Sequence, residues 1–439
     1  MGSSCCGGGG GGGGGCCGSS SSGDKHAPRR GSRAPGLLAA ALLLGIAAVS
    51  AIALTRQPAT APAPTKSAAP VAPAAQPAAP AAQPTTPPTK PDIAIEGVIR
   101  HGIPTPIARP AGGGTVRVAT YNIENLFDAP PEGKALPSGT EPKPADHKKA
   151  AAAAIKAIDA DILAVQEIES LETLTRFRDE YLKGLGYDHI ASVDAGDDRG
   201  IEQAVLSRYP IVGAKNWVHL PIGGTHPQNR TGNDRTAGGE IQFKRSPLMV
   251  TIDVPPAKDA APGTKPYRLT LFSVHFKSGS KDGYWREREA IKTAALAREL
   301  ESADPAANVI ILGDFNARPQ EKPTKAVLDA GFIDAFGDLP DGEPKYITHS
   351  SDRVIDHIML NPNAAAELVK DTRFVLGTLN RPAGVDWRTT PTPPGYAADH
   401  YPVVIDLSTT DHPVTAAPTP ATQTDRPSPT GAAPIVPPK

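Results

Sequence analysis

The segment from Asn308 to Ala317 constrains the fold of this chain more than any other, because an apolar run ends there in polar residues. It reads Asn-Val-Ile-Ile-Leu-Gly-Asp-Phe-Asn-Ala. The run is too short for an ordinary helix and is rich in β-branched residues, so it predicts a buried central strand. Asp314 and Asn316 lie two positions apart, and in an extended backbone their side chains point to the same side. The pattern indicates a functional site at the strand end, and an Asx turn that only closes the strand is the alternative.

The composition is uneven along the 439 residues and confines the predicted domain to residues 115–407. Residues 1–35 are a low-complexity Gly, Ser and Cys segment with a basic end, which cannot form a packed core. Residues 55–92 are mostly Pro, Ala, Thr and Gln, which favours an extended linker of polyproline character. Residues 93–114 lead into the domain. Residues 408–439 return to Thr, Pro and Ala, and we predict a disordered tail there.

Residues 36–54 form an uncharged apolar run after several basic residues, and the run is long enough to cross a bilayer as a helix. Two hypotheses fit it: an uncleaved signal anchor, or a secretory signal cleaved near Val49-Ser50-Ala51. Both predict a bacterial cell-envelope or secreted protein, whether anchored in the inner membrane and facing the periplasm, periplasmic or extracellular. We expect membrane contact through this run only if it is uncleaved. The sequence indicates no obligate protein partner.

Cysteine and charge distributions exclude several kinds of site. The four cysteines, at positions 5, 6, 16 and 17, all precede the apolar run. The predicted domain therefore has no disulfide, no Cys-based metal site and no Cys nucleophile. The chain has a formal net charge of −1, and acidic residues outnumber basic ones between 115 and 407. A nucleic-acid ligand would accordingly need a local basic groove.

Hydrophobic periodicity predicts a mixture of strands and helices in the domain. Strands are predicted over residues 116–121, 162–166, 202–207, 248–254, 268–275, 308–313, 354–360 and 402–407. Helices are predicted over 147–158 and 285–300, the second with Ile291, Ala295 and Leu296 facing inward. Several of the strands carry a polar residue at the carboxyl end, which is how sheet folds commonly build active sites.

Six short motifs follow one another through the domain. They are Thr120-Tyr121-Asn122-Ile123-Glu124-Asn125, Val165-Gln166-Glu167-Ile168, Ser273-Val274-His275-Phe276, Gly313-Asp314-Phe315-Asn316, Arg353-Val354-Ile355-Asp356-His357-Ile358 and Ala398-Asp399-His400-Tyr401-Pro402-Val403. In this order and with these gaps, they closely resemble the endonuclease/exonuclease/phosphatase superfamily, which includes pancreatic deoxyribonuclease and neutral sphingomyelinases. The resemblance implies a fold of the α/β (α+β) class, a four-layer α/β/β/α sandwich with two packed mixed β-sheets. It also implies hydrolysis of phosphate esters with a divalent metal, usually Mg²⁺, with Mn²⁺ or Ca²⁺ as other candidates.

The resemblance assigns three residues to the metal. A phosphodiester is anionic, so its hydrolysis needs an electrophile on the phosphoryl oxygens, a base for water and help for the leaving oxygen. Glu167 matches the metal ligand, with Asn122 beside it, and Asp399 matches a carboxylate near the metal. A carboxylate suits Mg²⁺, which prefers hard oxygen ligands. A surface carboxylate that binds nothing is the alternative for Glu167.

The resemblance also assigns the hydrolytic residues. Asp314 matches the carboxylate that orients or deprotonates the attacking water, and Asn316 matches the amide that holds the phosphate or a metal-bound oxygen. His400 matches the histidine that hydrogen-bonds the scissile phosphate, while Asp356 matches the acid that orients its ring and favours the imidazolium form. His275 matches a second histidine of the deoxyribonuclease-like branch, and a packed histidine at a strand end is the alternative.

Arg245 and Lys277 are the candidate substrate-binding residues. Arg245 falls near a phosphate-binding arginine of the deoxyribonuclease-like branch, and Arg235 competes with it for this role. Lys277 is predicted to contact phosphate, with a solvated surface charge as the alternative. His357 follows Asp356 on a predicted strand and is expected to face away from the site.

The two histidines favour a deoxyribonuclease-like enzyme, so the first hypothesis is an exported, metal-dependent endonuclease with DNA, or also RNA, as its nucleic-acid substrate. A sphingomyelinase-like phospholipid phosphodiesterase or another phosphatase of the superfamily is the alternative. A non-catalytic binding module on the same fold is a third hypothesis. A lipid enzyme should expose an apolar or aromatic insertion, and none stands out in a chain with 3 Trp and 9 Phe.

Overall fold

The computed structural model describes residues 95–132, 134–137, 140–225, 238–258, 260–340 and 342–412. The apolar run at 36–54, the linker at 55–92, the four cysteines and Arg235 lie outside these residues. Within the described ranges, none of the helices combines the length and the hydrophobicity that a membrane span requires. The expected export and domain boundaries therefore stay predictions.

Short strands make up most of the regular structure. In chain order the strands are β1 (Val98–Ile99), β2 (Thr115–Leu126), β3 (Ile162–Ile168), β4 (His189–Ser192), β5 (Glu202–Ser207), β6 (Ile211–Lys215), β7 (Pro221–Thr225), β8 (Glu240–Gln242), β9 (Leu248–Val254), β10 (Tyr267–His275), β11 (Asn308–Asp314), β12 (Ile333–Asp334), β13 (Asp356–Leu360), β14 (Phe374–Val375), β15 (Leu379–Asn380) and β16 (Val403–Ser408). The α-helices are α1 (Ala145–Ile158), α2 (Leu171–Tyr181), α3 (Gly283–Ala303), α4 (Lys322–Asp329) and α5 (Pro362–Ala366). Single 3₁₀ turns occur at Pro344–Tyr346 and Lys370–Thr372.

Two six-stranded mixed sheets form the centre of the described part of the chain. Sheet I has the order β14-β16-β2-β3-β5-β4, and sheet II has the order β12-β13-β11-β10-β9-β6. Each sheet contains a central parallel pair, β2 with β3 in sheet I and β10 with β11 in sheet II, and antiparallel strands flank both pairs. Because parallel strands end at the same edge, each sheet brings two carboxyl ends side by side.

Alternate side chains of the central strands fill three separate cores. Val118 of β2 and Ile310 of β11 belong to one core between the two sheets. Tyr121 of β2 packs with residues of α1 and α2, while Ile311 of β11 packs with residues of α3 and α4. These strands are buried on both faces, which explains their nearly continuous apolar sequences. The predicted four-layer α/β/β/α sandwich with two packed mixed sheets is confirmed.

The predicted inward face of α3 is wrong at two of its three positions. Leu296 is buried, but Ile291 is 38% exposed and Ala295 is also exposed. The buried stripe passes instead through Glu289, whose carboxylate accepts hydrogen bonds from the backbone N–H groups of two loops. Buried backbone donors need such partners, so a polar residue occupies a position that hydrophobicity alone assigns to an apolar one. Burial raises the pKa of Glu289 to about 7.

Gly313 allows β11 to reach Asp314 without a steric clash, and an alanine there is expected to be costly. The φ angle of Gly313 is 137°, and a Cβ would lie 2.1 Å from the carbonyl oxygen of Val274 on β10. Gly313→Ala is expected to lower the free energy of unfolding by roughly 2 to 4 kcal/mol, measured by denaturant titration, because strain and overpacking add. The matched control is Gly342→Ala, where φ is 74° but a Cβ meets no atom within 4 Å. Equal losses in the two variants would contradict the steric argument.

Candidate active site

The candidate site lies where the two parallel pairs end. Asn122 is the last residue of β2 before its register with β3 shifts, and Glu167 lies at the end of β3. His275 and Asp314 are the final, paired residues of β10 and β11. Asp314 in turn pairs with Asp356, the first residue of β13. Both sheets therefore contribute side chains to one site.

Hydrogen bonds between polar side chains join the two sheets beneath these residues. The buried side chain of Gln166 on sheet I donates from Nε2 to Thr120 Oγ1 at 3.1 Å and to Ser273 Oγ of sheet II at 3.3 Å. A polar link inside an apolar core restrains how far the sheets can slide past each other. The same link therefore also restrains the positions of the strand ends of sheet I relative to those of sheet II.

Asp314 is the centre of the constellation and is 2% exposed. Its Oδ1 accepts a hydrogen bond from the backbone N–H of Asn316 at 2.7 Å, and its Oδ2 accepts from Nδ2 of Asn122 at 3.2 Å and of Asn316 at 3.1 Å. The Nε2 atoms of His275 and His400 lie 3.5 and 3.7 Å from the same Oδ2. Burial raises the pKa of Asp314 to about 7, although the charge of His400 opposes this.

His400 and Asp356 form a buried histidine–carboxylate dyad. The Nδ1 atom of His400 lies 2.8 Å from Asp356 Oδ2, and the backbone N–H of Asp356 donates to Thr348 Oγ1 at 3.0 Å. Burial alone would lower the pKa of His400, but the charges of Asp356 and Asp314 raise it well above its usual value. This shift favours the imidazolium form of His400, and its Nε2 faces Asp314.

Glu167 and His275 are further neighbours of Asp314. Oε2 of Glu167 accepts a hydrogen bond from the backbone N–H of Asn125 at 3.1 Å, and its Oε1 lies 3.7 Å from Nε2 of His275. Burial lowers the pKa of His275 well below its usual value, and the charge of Arg245 adds to this shift. This shift favours the neutral form of His275, in contrast to the shift of His400.

Several carboxylates crowd together beside Glu167. Burial raises the pKa of Glu124 to about 7, and the charges of Asp399 and Glu167 contribute, while Lys143 opposes the shift. Like charges this close destabilise each other, and a divalent cation would offset the repulsion. Carboxylate oxygens are also the ligands that Mg²⁺ prefers. The donor set therefore fits the expected kind of metal.

Two groups of three side chains within the described ranges bring possible ligand atoms within 4.8 Å of one another: His349, Asp399 and His400, and Asp314, Asp356 and His400. Glu167 belongs to neither group. Asn122 accepts a hydrogen bond from the backbone N–H of Glu124 with its Oδ1, so its amide nitrogen points at Glu167 and Asp314. Metal binding by Glu167, Asn122 and Asp399 stays a prediction.

Four residues of the site have left-handed backbone conformations. The φ angles are 51° at Glu124, 51° at Asn125, 63° at Glu167 and 49° at Asn316. Asn tolerates this region, but Glu seldom occupies it. At Glu167 the register of β3 shifts relative to both neighbouring strands, β2 and β5. The resulting local bulges turn the side chain of Glu167 toward the site.

His349 is a site residue that sequence analysis missed. Its ring lies against the ring of His400 with centroids 4.5 Å apart, and its Nε2 is 3.4 Å from Asp399 Oδ2. Burial lowers the pKa of His349, while Asp399 opposes the shift. His349 lies in a loop, where hydrophobic periodicity gives no signal. Its position shortly before β13 is the only feature of the sequence that could have indicated a role in the site. His357 lies elsewhere, with Nε2 2.9 Å from the carbonyl oxygen of Ala317.

Arg199 is a second missed residue. Its guanidinium donates to Asn125 Oδ1 at 2.5 Å, and its charge contributes to the lowered pKa of His275. It lies in the loop between β4 and β5, outside every recognisable motif. A cation there provides positive charge next to the strand ends, where a phosphate would bind.

Both predicted phosphate-binding residues are paired with carboxylates. Arg245 is 4% exposed, and its Nε donates to Asp197 Oδ2 at 3.0 Å while another of its nitrogens donates to the carbonyl oxygen of Phe276 at 3.3 Å. Nζ of Lys277 donates to Asp282 Oδ2 at 3.1 Å. Direct contact of Arg245 or Lys277 with substrate stays a prediction.

The fold and this constellation define a phosphoesterase of a known family. The sequence profile of the endonuclease/exonuclease/phosphatase family matches residues 119–412, so the chain belongs to that family and the predicted resemblance is confirmed. Enzymes of this family hydrolyse phosphoric esters and depend on divalent metals. No curated protein sequence matches the chain.

Several solved structures are similar to this one. The catalytic domain of human Nocturnin with bound sulfate is 16% identical over 67% of this chain and 94% of that chain, with a TM-score of 0.42. Truncated TDP2 of Caenorhabditis elegans is 16% identical over 67% of this chain and 97% of that chain, with a TM-score of 0.41. A mannosyl-6-phosphatase of Bacteroides thetaiotaomicron is 18% identical over 66% of this chain and 98% of that chain, with a TM-score of 0.40.

Proposed function

We propose that this protein is a metal-dependent endonuclease that hydrolyses the phosphodiester bonds of DNA, and also of RNA, with Mg²⁺ as its metal. The observation that carries the proposal is the placement of two histidines on one carboxylate: Nε2 of His275 and Nε2 of His400 lie 3.5 and 3.7 Å from Oδ2 of Asp314. A phosphodiester has two non-bridging oxygens. Two ring nitrogens that flank the water-activating carboxylate are suited to meet them.

The charges of these residues support a division of labour. Asp314, with its pKa raised to about 7, is a base poised near neutral pH and would take the proton of the attacking water. His400, for which Asp356 favours the imidazolium form, would donate from Nε2 to a phosphoryl oxygen as negative charge develops there. The bond from phosphorus to the leaving sugar oxygen would break as the bond to water forms, and that oxygen would take up a proton from solvent. A divalent ion held by Glu167 and Asp399 would act as the Lewis acid on the phosphoryl group.

We also propose that the enzyme is exported. The apolar run at 36–54 follows basic residues, a Pro- and Ala-rich linker separates it from the domain, and no cysteine follows position 17. The domain would then work in the cell envelope or outside the cell, where the absence of cysteines prevents the formation of disulfides.

A phospholipid phosphodiesterase is the second candidate, and one observation favours it. Trp387 is 65% exposed, and its neighbour Val385 is 39% exposed, in the loop between β15 and β16. No aromatic insertion for entering lipid stands out in the sequence, whereas the structure exposes a Trp that lines the same cavity as Asp399. This candidate uses the same hydrolytic residues on a different diester.

The deciding experiment compares substrates under one set of conditions. The fragment spanning residues 93–412 is assayed on supercoiled DNA, RNA, sphingomyelin and a phosphomonoester, with Mg²⁺ or with a chelator, and with or without a reducing agent. We expect nicking of DNA that requires Mg²⁺ and ignores the reducing agent, because the fragment has no cysteine. The His400→Ala variant of the fragment, purified by the same procedure, is the control for contaminating nuclease. Sphingomyelin or phosphomonoester hydrolysis with intact DNA would overturn the substrate assignment.

A further inference from the structure

A cavity of about 530 Å³ opens beside the candidate active site. Asp399, His349 and Glu124 form the side of the cavity nearest the hydrolytic residues, since the ring of His349 lies against that of His400. The loop between β15 and β16, which also carries Asp399, supplies much of the rest of the lining. Four arginines from three separate segments of the chain line the cavity: Arg100, Arg353, Arg381 and Arg388.

Trp387 lines this cavity and is 65% exposed. The guanidinium of Arg388 lies over its ring, 4.7 Å from the centroid, so a cation–π contact steadies the indole without burying it. Isolated exposed apolar residues are common, but a large aromatic ring inside an arginine-lined cavity is the composition of a base-stacking platform. Every nucleobase has an apolar face that such a ring can cover.

The positive charge of the cavity is only partly compensated. Arg100 pairs with Asp352 at 2.7 Å and Arg388 with Asp386 at 3.8 Å, and the carboxylates of Glu124 and Asp399 also line the cavity. Arg353 donates to Ser351 Oγ at 2.6 Å and Arg381 donates to the carbonyl oxygen of Thr390 at 2.7 Å. Both acceptors are neutral, so these bonds leave the guanidinium charges available to an anion. Acidic residues outnumber basic ones in the domain, so Arg353 and Arg381 provide the kind of local positive charge that a nucleic-acid ligand requires there.

We infer that this cavity is a subsite for the nucleic-acid strand beside the scissile phosphate, with a base stacked on Trp387 and neighbouring phosphates held by Arg353 and Arg381. The inference rests on the proposed nuclease function and adds a binding subsite to it. The cavity shares Asp399 and His349 with the catalytic side, so a strand with one phosphate at His400 is directed into it.

A lipid surface is the competing partner, and the neighbours of Trp387 argue against it. Membrane insertion requires several apolar side chains on one protruding surface. Here Trp387 lies between Asp386 and Arg388, both of which are exposed. An acidic side chain next to the ring disfavours insertion among phospholipid headgroups, whereas phosphates of a nucleic acid can avoid it by binding on the arginine side.

The first test measures binding without cleavage. The full-length chain is titrated with a labelled single-stranded oligonucleotide in chelator, and both anisotropy and intrinsic fluorescence are recorded. Trp387→Ala is expected to weaken binding about 5- to 150-fold, since stacking contributes about 1–3 kcal/mol per base, while Trp387→Phe should retain most of the affinity. The oligonucleotide should quench the fluorescence of the wild-type chain more than that of Trp387→Phe. Arg381→Gln should weaken binding and reduce the salt dependence.

A matched control and a small substrate separate this inference from the proposed function. Arg268→Gln changes an exposed arginine near the opposite end of β10 and should bind like wild type. Bis(p-nitrophenyl) phosphate has a single phosphate and no nucleobase, so Trp387→Ala should hydrolyse it at nearly the wild-type rate, while the KM of the variant for the oligonucleotide rises.

Three results would overturn the subsite. Wild-type oligonucleotide affinity in Trp387→Ala, with DNA still cleaved, would remove the stacking platform and leave the nuclease proposal standing. Loss of binding to sphingomyelin vesicles in Trp387→Ala, with oligonucleotide binding unchanged, would assign the ring to a membrane. If wild type hydrolyses the small diester but binds and cleaves neither DNA nor RNA, the nuclease proposal fails, and the subsite fails with it.

Discussion

Glu167→Gln is expected to lose phosphodiesterase activity by about two orders of magnitude or more and to need more Mg²⁺ for its half-maximal rate. The substitution keeps the shape of the side chain and removes its charge at the point where carboxylates converge. A Lewis-acid metal contributes several kcal/mol to catalysis, and each 1.4 kcal/mol corresponds to about tenfold in rate. The measurement is the initial rate on DNA as a function of Mg²⁺ concentration.

A second readout separates this loss from unfolding. Glu167 contributes to the repulsion that raises the pKa of Glu124, so the variant should be at least as stable as wild type in chelator. Mg²⁺ should raise the melting temperature of wild type more than that of the variant, because ligand binding to the folded state stabilises it. Glu172→Gln, on the exposed face of α2, is the matched control and should behave like wild type. An unchanged Mg²⁺ dependence of both rate and melting temperature would remove Glu167 from the metal site.

His400→Ala is expected to lower the rate on DNA by roughly 10²- to 10⁴-fold, the usual contribution of a general acid–base group. Adding Asp356→Asn to it should cost little more, because Asp356 acts through the ring that is already absent. The double-variant cycle is measured from kcat/KM of the four proteins. His189→Ala on β4 controls for the loss of an imidazole. Fully multiplicative losses would contradict a dyad.

The pH–rate profile of Asp356→Asn tests the same pair independently. The charge of Asp356 raises the pKa of His400, so its removal lowers that pKa. If the imidazolium is the active form, activity is lost as pH rises through the pKa of His400, and the alkaline limb of the variant moves to lower pH. A limb that stays in place would mean that Asp356 only supports the local structure.

How much of the fold the sequence predicts depends on how each element is buried. The central strands around Leu163 and Ile311 are apolar on both faces, so their sequences identify them at once. Helix α2 was missed because it buries a short, partly polar face at Thr173, Leu174 and Phe177. In edge strands such as β6, apolar and polar residues alternate only weakly, because only one side of an edge strand packs on the core.

The site residues likewise divide into those that the sequence predicts and those that it does not. Residues at strand ends, such as Asp314 and His275, could be predicted because the strands that carry them have recognisable patterns. His349 and Arg199 come from loops, and their position follows from tertiary contacts that no local pattern encodes. The inward orientation of Glu289 has a similar origin, since it depends on loops distant in sequence.

The left-handed backbone at Glu124, Asn125, Glu167 and Asn316 implies a trade-off between durability and activity. Each such conformation costs of order 1–3 kcal/mol in a residue with a side chain. Glycine would relieve that cost, but it would also delete the oxygens and amides that form the site. Selection for heat resistance alone should therefore enrich glycine at these positions and yield sturdy, inactive proteins, whereas selection for turnover should keep the strained residues and find its stabilising changes elsewhere.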